Sequence, residues 1–224
     1  MGKKDRLREL AESASSLPAG PIHCACLIHG VAYGWNYVDR LYNMLTRNLS
    51  QGVKLHVFTE PDRNVPAHMI KHELKDLGVS GPKQAWWYKL QMFNHKHYQG
   101  PLLYFDLDTV IVDNIDWIWK LSLQHFWAVR DFKRLWRHSN YSVNSSVMWF
   151  DTSKYDHIWR KFKTTNLMEV MLKYRGDQDY ITDAIYESDR RFFEQDRVKS
   201  WRWECLDGGY NFQTKTHRRL GAGT

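Results

Sequence analysis

Residues Leu102–Ile115 read LLYFDLDTVIVDNI. The stretch opens as an unbroken apolar run, Leu102-Leu103-Tyr104-Phe105, behind the turn signal Gly100-Pro101. It then places carboxylates at Asp106 and Asp108 and resumes as Val110-Ile111-Val112. A short apolar run of aromatic and β-branched residues after a turn signal predicts a strand buried on both faces. In extended chain, residues i and i+2 point the same way, so the pattern predicts both carboxylates facing one point. Unpaired carboxylates are too costly to bury at the end of a core strand, so a cation belongs beside them. A hard divalent ion with oxygen ligands is the best chemical match.

The flanking sequence supplies the rest of a sheet. Ile22–His29 (IHCACLIH) predicts a first buried strand, residues 30–34 a loop, Trp35–Leu49 a helix and Val53–Thr59 (VKLHVFT) a second strand. Strand, loop, helix, strand in that order is a βαβ start and argues for a mostly parallel sheet flanked by helices. His68–Leu74 fits a short strand or a helix equally well, and Trp86–Asn94 reads as helix. After the central strand come a helical turn at Trp117–Leu123, a strand at Phe126–Arg130 and a strand-like segment with a polar centre at Tyr141–Phe150. Helices follow at Tyr155–Phe162, Leu167–Tyr174 and Gly176–Tyr186, with a further strand near Phe192. In open α/β sheets, ligands gather at the carboxyl ends of the strands. Polar groups interrupt or end three of these strands: His29-Gly30, Asp106/Asp108 and Asn144-Ser145-Ser146.

Composition bounds the function classes. The chain's 224 residues suffice for one well-filled domain over 21–224, with residues 1–20 as a basic N-terminal tail. That tail has the charge to touch an acidic membrane face or to remain solvated. Three cysteines without framework spacing argue for a reducing, cytoplasmic setting and against a disulfide scaffold or a zinc site. The charged N-terminus lacks the apolar core of a signal peptide, and no apolar run approaches membrane-spanning length. A net charge of +7 suits anionic partners, but the Lys and Arg are scattered rather than striped, which argues against nucleic acid. The aromatic surplus, 11 Trp and 12 Tyr, serves core packing and equally a site that stacks rings.

Four motifs occur in a known order: WYKLQMF, YFDLDTVIVDNID, VNSSVMWFD and GDQDYITDAI. Together they resemble nucleotide-sugar glycosyltransferases of the GT-A fold, closest to the family 8 type and its small bacterial and viral relatives. The resemblance runs from about Ile22 to Trp203. It implies a Rossmann-like α/β fold with a mostly parallel central sheet. It also implies transfer of a sugar from a nucleoside diphosphate donor, UDP above all, to a glycan or other hydroxyl acceptor with Mn²⁺ or Mg²⁺, and retention at the anomeric carbon. Asp106 and Asp108 then form the DxD metal site, with Asp106 also reaching the ribose. Lys89 contacts the donor, Tyr33 or Tyr37 stacks on the base, and His29-Gly30 approaches it. Asn144 and Ser145 match the polar pair near the donor sugar, and Asp177-Gln178-Asp179 the tripeptide beside the anomeric carbon. Trp201 and Trp203 read as an acceptor platform or as packing.

The chain departs from the resemblance at one point. Relatives carry a C-terminal His-Gly-x-Pro-Lys-Pro-like segment whose His completes the metal site. Here the sequence stops at Gly221-Ala222-Gly223-Thr224, as if truncated, and His217 with Arg218 and Arg219 has the wrong spacing to replace it. A rival enzyme class is the haloacid-dehalogenase-type phosphatase, in which Asp106 would be the nucleophile and Asp108 the acid/base. That class places its motif on the first strand, however, not about a hundred residues into the chain.

Overall fold

A computed structural model describes residues 20–79, 84–138, 140–201 and 204, together with two short strands at 210–211 and 216–217. The expectations for residues 1–19, Trp203, the side chain of His217 and everything after it lie outside the described residues.

The elements in order are β1 (Ile22–Leu27), α1 (Trp35–Asn48), β2 (Val53–Thr59), β3 (Ile70–Glu73) and α2 (Gln84–Tyr88), which runs into a 3-10 helix over Lys89–Phe93. Then come β4 (Pro101–Phe105), α3 (Asp116–Trp119), β5 (Phe126–Arg130), β6 (Val143–Asp151), α4 (Thr152–Thr164), α5 (Leu167–Lys173), α6 (Asp177–Ala184) and β7 (Arg190–Phe192). β8 (Tyr210–Asn211) and β9 (Thr216–His217) form a separate antiparallel pair.

The main sheet has seven strands in the order β3-β2-β1-β4-β6-β5-β7. Neighbours pair in parallel except at β6, which runs antiparallel to both β4 and β5. Because β6 runs backwards, its N-terminal residues lie at the carboxyl edge of the parallel strands. Asn144 and Ser145 therefore reach the same edge as the ends of β1 and β4.

β4 is the spine of the sheet. Leu102, Leu103, Tyr104 and Phe105 are all essentially inaccessible, which matches the expectation of burial on both faces. Leu102 and Tyr104 pack into one core under the 3-10 helix, α4 and α6. Leu103 and Phe105 pack into the other, against α1 and α3. A side chain of this size contributes roughly 1.5–3 kcal/mol when fully buried, so the strand is anchored from both sides.

The strand does not extend through the two carboxylates, which corrects the expectation of a continuous run. β4 ends at Phe105, and the Thr109 amide donates to the Asp106 carbonyl at 3.1 Å to close a turn. Val110 and Val112 are exposed, and Ile111 alone turns inward, its amide against Met44 Sδ at 3.3 Å. Along β6 the register with β5 jumps from Met148↔Ala128 to Asn144↔Val129, leaving Ser145, Ser146 and Val147 in a bulge. The Asp106 amide makes a last bond to the Ser146 carbonyl at 2.8 Å before the chain turns.

Candidate active site

The cluster beside Asp106 is built from four separate elements. Lys89 opens the 3-10 helix, Asp106 follows the last residue of β4, Ser145 sits in the β6 bulge and Asp177 opens α6. Lys89 Nζ lies 2.8 Å from Asp106 Oδ1, 3.2 Å from Asp177 Oδ2 and 3.1 Å from Ser145 Oγ. Ser145 Oγ donates to Asp177 Oδ2 at 2.6 Å, and the Tyr104 hydroxyl donates to Asp106 Oδ1 at 2.8 Å. Lys89, Ser145 and Asp177 are buried. Burial pulls the Lys89 pKa down, but the Asp106 and Asp177 carboxylates outweigh it and hold the ammonium charged above the ordinary lysine range. Burial, and after it Asp106, drives the Tyr104 hydroxyl well above the usual phenol range, so it stays a donor.

Asp108, one turn further, is exposed and accepts from the Tyr33 hydroxyl at 3.3 Å. Burial first and Asp108 second raise the Tyr33 pKa. Among the described residues, all Asp106 side-chain contacts fall on Oδ1 and the Asp108 contact on Oδ2. One oxygen of each carboxylate is thus left for a ligand. No group of three His, Cys, Asp or Glu side chains stands ready to hold a metal among those residues. Two carboxylate oxygens fit a Mg²⁺-type ion, which takes one or two carboxylates and draws its other ligands from phosphate and water.

A cavity of about 470 Å³ opens over this cluster. His29, Tyr33, Lys89, Asp106, Asp108, Ser145, Asp177 and Gln178 line it, which brings most of the sequence-predicted residues together. Four do not line it. Tyr37 lies in a neighbouring groove with Arg40 and Arg47 and meets Tyr33 edge-on at 4.9 Å. The side chain of Asn144 accepts from the Ser146 amide at 3.0 Å and so shapes the bulge. Gly30 adopts φ +67°, a left-handed conformation natural to glycine. Its N–H donates to Glu60 Oε1 and its carbonyl accepts from Arg63 Nη2 at 2.7 Å. Burial opposes ionisation of Glu60, but the Arg63 and Gly30 hydrogen bonds bring its pKa down to about 2. His29 stacks on Tyr88 with centroids 3.9 Å apart. Gln178 Nε2 donates to Asp131 Oδ2 at 3.1 Å. Trp201 is largely exposed and is not part of the cavity wall.

Sequence reading did not single out Trp86, Lys133 and Arg175, which also line the cavity. Trp86 precedes Lys89 by three residues, a helical spacing that puts both on one side of the chain. Arg175 immediately precedes the Gly176-Asp177 start of α6. Lys133 lies two residues past Asp131, to which its Nζ pairs at 3.4 Å, and nothing local in the sequence ties it to the DxD turn.

No protein-family model matches the sequence, and no curated protein matches it. Solved structures do match its fold. The glycosyltransferase GlyE of Streptococcus pneumoniae TIGR4 superposes with a TM-score of 0.57 at 12% identity, over 78% of this chain and 45% of that one. Its apo form gives 0.55 at 13%, with the same coverage. The apo structure of the bifunctional glycosyltransferase WbbM gives 0.51 at 10%, over 84% of this chain and 40% of that one. The chain therefore has a glycosyltransferase fold and spans less than half the length of these structures.

Proposed function

We propose that this protein is a nucleotide-sugar glycosyltransferase that moves a sugar from a nucleoside diphosphate donor, UDP for preference, to a hydroxyl acceptor. The observation that carries the reading is the Lys89–Asp106–Ser145–Asp177 cluster, with Asp108 beside it, at the carboxyl edge of a glycosyltransferase-fold sheet. Asp106 and Asp108 would hold Mn²⁺ or Mg²⁺, which when bound neutralises charge on the departing diphosphate. Lys89, locked between two carboxylates, orients Asp106 and presents a fixed positive charge to the donor. Lys133 and Arg175 offer further cationic side chains for the diphosphate. Tyr33 and His29 stand at the end of β1, where a base would stack.

Retention is the preferred stereochemistry. The buried Asp177 carboxylate is already engaged by Lys89 and Ser145, which suits same-face attack assisted by the leaving phosphate better than a free general base does. The phosphatase reading has no comparable support, because Asp106 follows the fourth strand and its Oδ1 is held by Lys89 and Tyr104. No helix among the described residues is long and apolar enough to cross a membrane. Cys24 and Cys26 are both free and buried, in keeping with a reducing, cytoplasmic setting.

Calorimetric titration of UDP, with GDP as control, into the protein with and without Mn²⁺ tests the reading. Metal-dependent UDP binding is the expected result. Absence of nucleotide binding together with hydrolysis of a generic phosphate ester would overturn it in favour of the phosphatase.

A further inference from the structure

A second groove, of about 640 Å³, runs along α1 beside the candidate site. Tyr37, Arg40, Met44 and Arg47 line it, spaced so that they form one stripe along the helix. The stripe flanks the face that buries Val38, Leu41 and Leu45 in the core. Arg40 and Arg47 are exposed, and among the described residues neither is ion-paired to a carboxylate. Arg47, in the last turn, complements the helix dipole, but Arg40, in mid-helix, gains nothing from it. The turn after β4 forms the other wall through Asp108 and Val110. Ile111 seats this turn on α1 by its amide contact with Met44 Sδ, and the valines on either side of it are left in water, Val110 72% and Val112 87% exposed. Of the residues assigned to the donor, only Asp108 borders the groove. Tyr33 lines the cavity and not the groove; it donates to Asp108 and meets Tyr37 edge-on, and so marks the boundary between the two.

A lone exposed valine is ordinary on a protein surface. Two of them at the lip of a groove that carries two guanidiniums make a different pattern. Guanidinium forks match phosphate oxygens, and apolar side chains beside them match the boundary between headgroups and acyl chains. That pairing of charge and apolar surface holds proteins at an anionic bilayer. A soluble phosphate would be met by the arginines alone and would leave the valines without a part. We propose that this face, Arg40 and Arg47 with Val110 and Val112, docks on an anionic lipid bilayer, the guanidiniums on headgroup phosphates and the valines in the interface. The net charge of +7 favours the same approach. The groove shares Leu107 and Asp108 with the cavity, so docking brings the cavity beside the headgroup layer, within reach of a lipid-borne hydroxyl acceptor. That consequence rests on the transferase reading; the docking does not.

The test is co-sedimentation of the full chain with phosphatidylcholine vesicles, with and without phosphatidylglycerol. Two double variants, Arg40→Gln/Arg47→Gln and Val110→Ser/Val112→Ser, are compared with the unaltered chain, and melting temperature checks that each is folded. The expected result is binding to the phosphatidylglycerol vesicles and not to phosphatidylcholine alone. The arginine variant should partition about 25-fold more weakly, at about fivefold per cation near an anionic surface. The valine variant should also bind more weakly, and its deficit should persist at high salt, where the charge term is screened. Absence of binding to the anionic vesicles would overturn the proposal. So would folded variants that both bind like the unaltered chain, because attachment would then lie elsewhere, as in the basic N-terminal tail. A loss confined to the arginine variant, with soluble glycerol phosphate displacing the vesicles, would make the groove a seat for a soluble phosphate and equally refute the docking. Titration of UDP with Mn²⁺ into the same unaltered sample separates the two readings. Vesicle binding lost in both variants without any UDP binding would keep the docking face and remove the transferase, and UDP binding without vesicle binding the reverse.

Discussion

At the scale of single residues, the two carboxylates of the motif do different work because they sit in different surroundings. Asp106 is tied to Lys89 and Tyr104, whereas Asp108 is exposed with one contact, from Tyr33. Asp108→Ala therefore removes a proposed metal ligand and almost nothing structural. Its expected effect is loss of Mn²⁺-dependent UDP affinity by at least tenfold with an unchanged melting temperature, read by calorimetry and thermal unfolding on the same sample. Lys89→Met behaves oppositely. It strands Asp106 and Asp177 beside each other without a cation, and breaking a buried pair in this way costs about 3 kcal/mol. Urea unfolding checks that figure; a loss under about 1 kcal/mol would mean that water or a solvent cation compensates the pair. Asp106 was legible as one of two carboxylates behind an apolar run and Ser145 as part of a polar break in a strand, whereas Lys89 and Asp177 were legible only through the family resemblance. The bonds that join them were not, since the contact from Lys89 to Asp177 crosses strands and helices that no spacing rule connects.

At the scale of elements, strands that are short apolar runs were readable almost to the residue, as at Val53–Thr59 and Phe126–Arg130. Val110-Ile111-Val112 has the same composition and is not a strand; in the β4–β6 register its partners would be residues 140–142, which precede the start of β6 at Val143. A histidine ladder across β1, β2 and β3 was equally invisible, since its members lie far apart in sequence. His23 Nδ1 meets His56 Nε2 at 2.7 Å, and His56 Nδ1 meets His72 Nε2 at 2.7 Å. His97 packs edge-on against His72, and Tyr98 stacks on His23. A neutral imidazole carries one N–H and one lone pair, so His56 donates to one neighbour and accepts from the other; protonation breaks that chain. Burial, and then His72 and His23, brings the His56 pKa down to about 3. Burial, and then His97, brings His72 to about 4. Lys54 beside His23 and Lys75 beside His97 add to the aversion to positive charge. With folded values below the unfolded one, the ladder's contribution is complete above about pH 6.5. It is lost as pH falls towards 4 and then 3. Stability is expected to fall between pH 6.5 and 5 by an order of 1 kcal/mol per pH unit. Substituting His56→Gln should flatten the slope over that range. An unchanged slope in that variant would place the acid sensitivity elsewhere.

At the scale of the whole molecule, the candidate site ties distant parts of the chain to one another. The end of β1, the turn after β4, the bulge of β6 and the start of α6 each contribute, and they lie on strands and a helix spread from residue 22 to residue 184. A ligand that touches all four must bind the folded state and have almost no affinity for the unfolded chain, where those groups are far apart. Its effect on stability is then given by simple linkage, about 2.7 kcal/mol when the free ligand is a hundred times its dissociation constant. For a chain of 224 residues, each kcal/mol moves the melting temperature by roughly 2–4 °C. UDP with Mn²⁺ at that saturation is therefore expected to raise the melting temperature by about 5–10 °C. Adding EDTA to the UDP sample should remove most of the rise, because Asp106 and Asp108 alone present like charges to the diphosphate. A rise of equal size in EDTA would show that Lys89, Lys133 and Arg175 hold the nucleotide without a metal, and the DxD turn would then need another role. A rise with GDP as large as with UDP would locate recognition in the diphosphate and leave His29 and Tyr33 without a part in choosing the base.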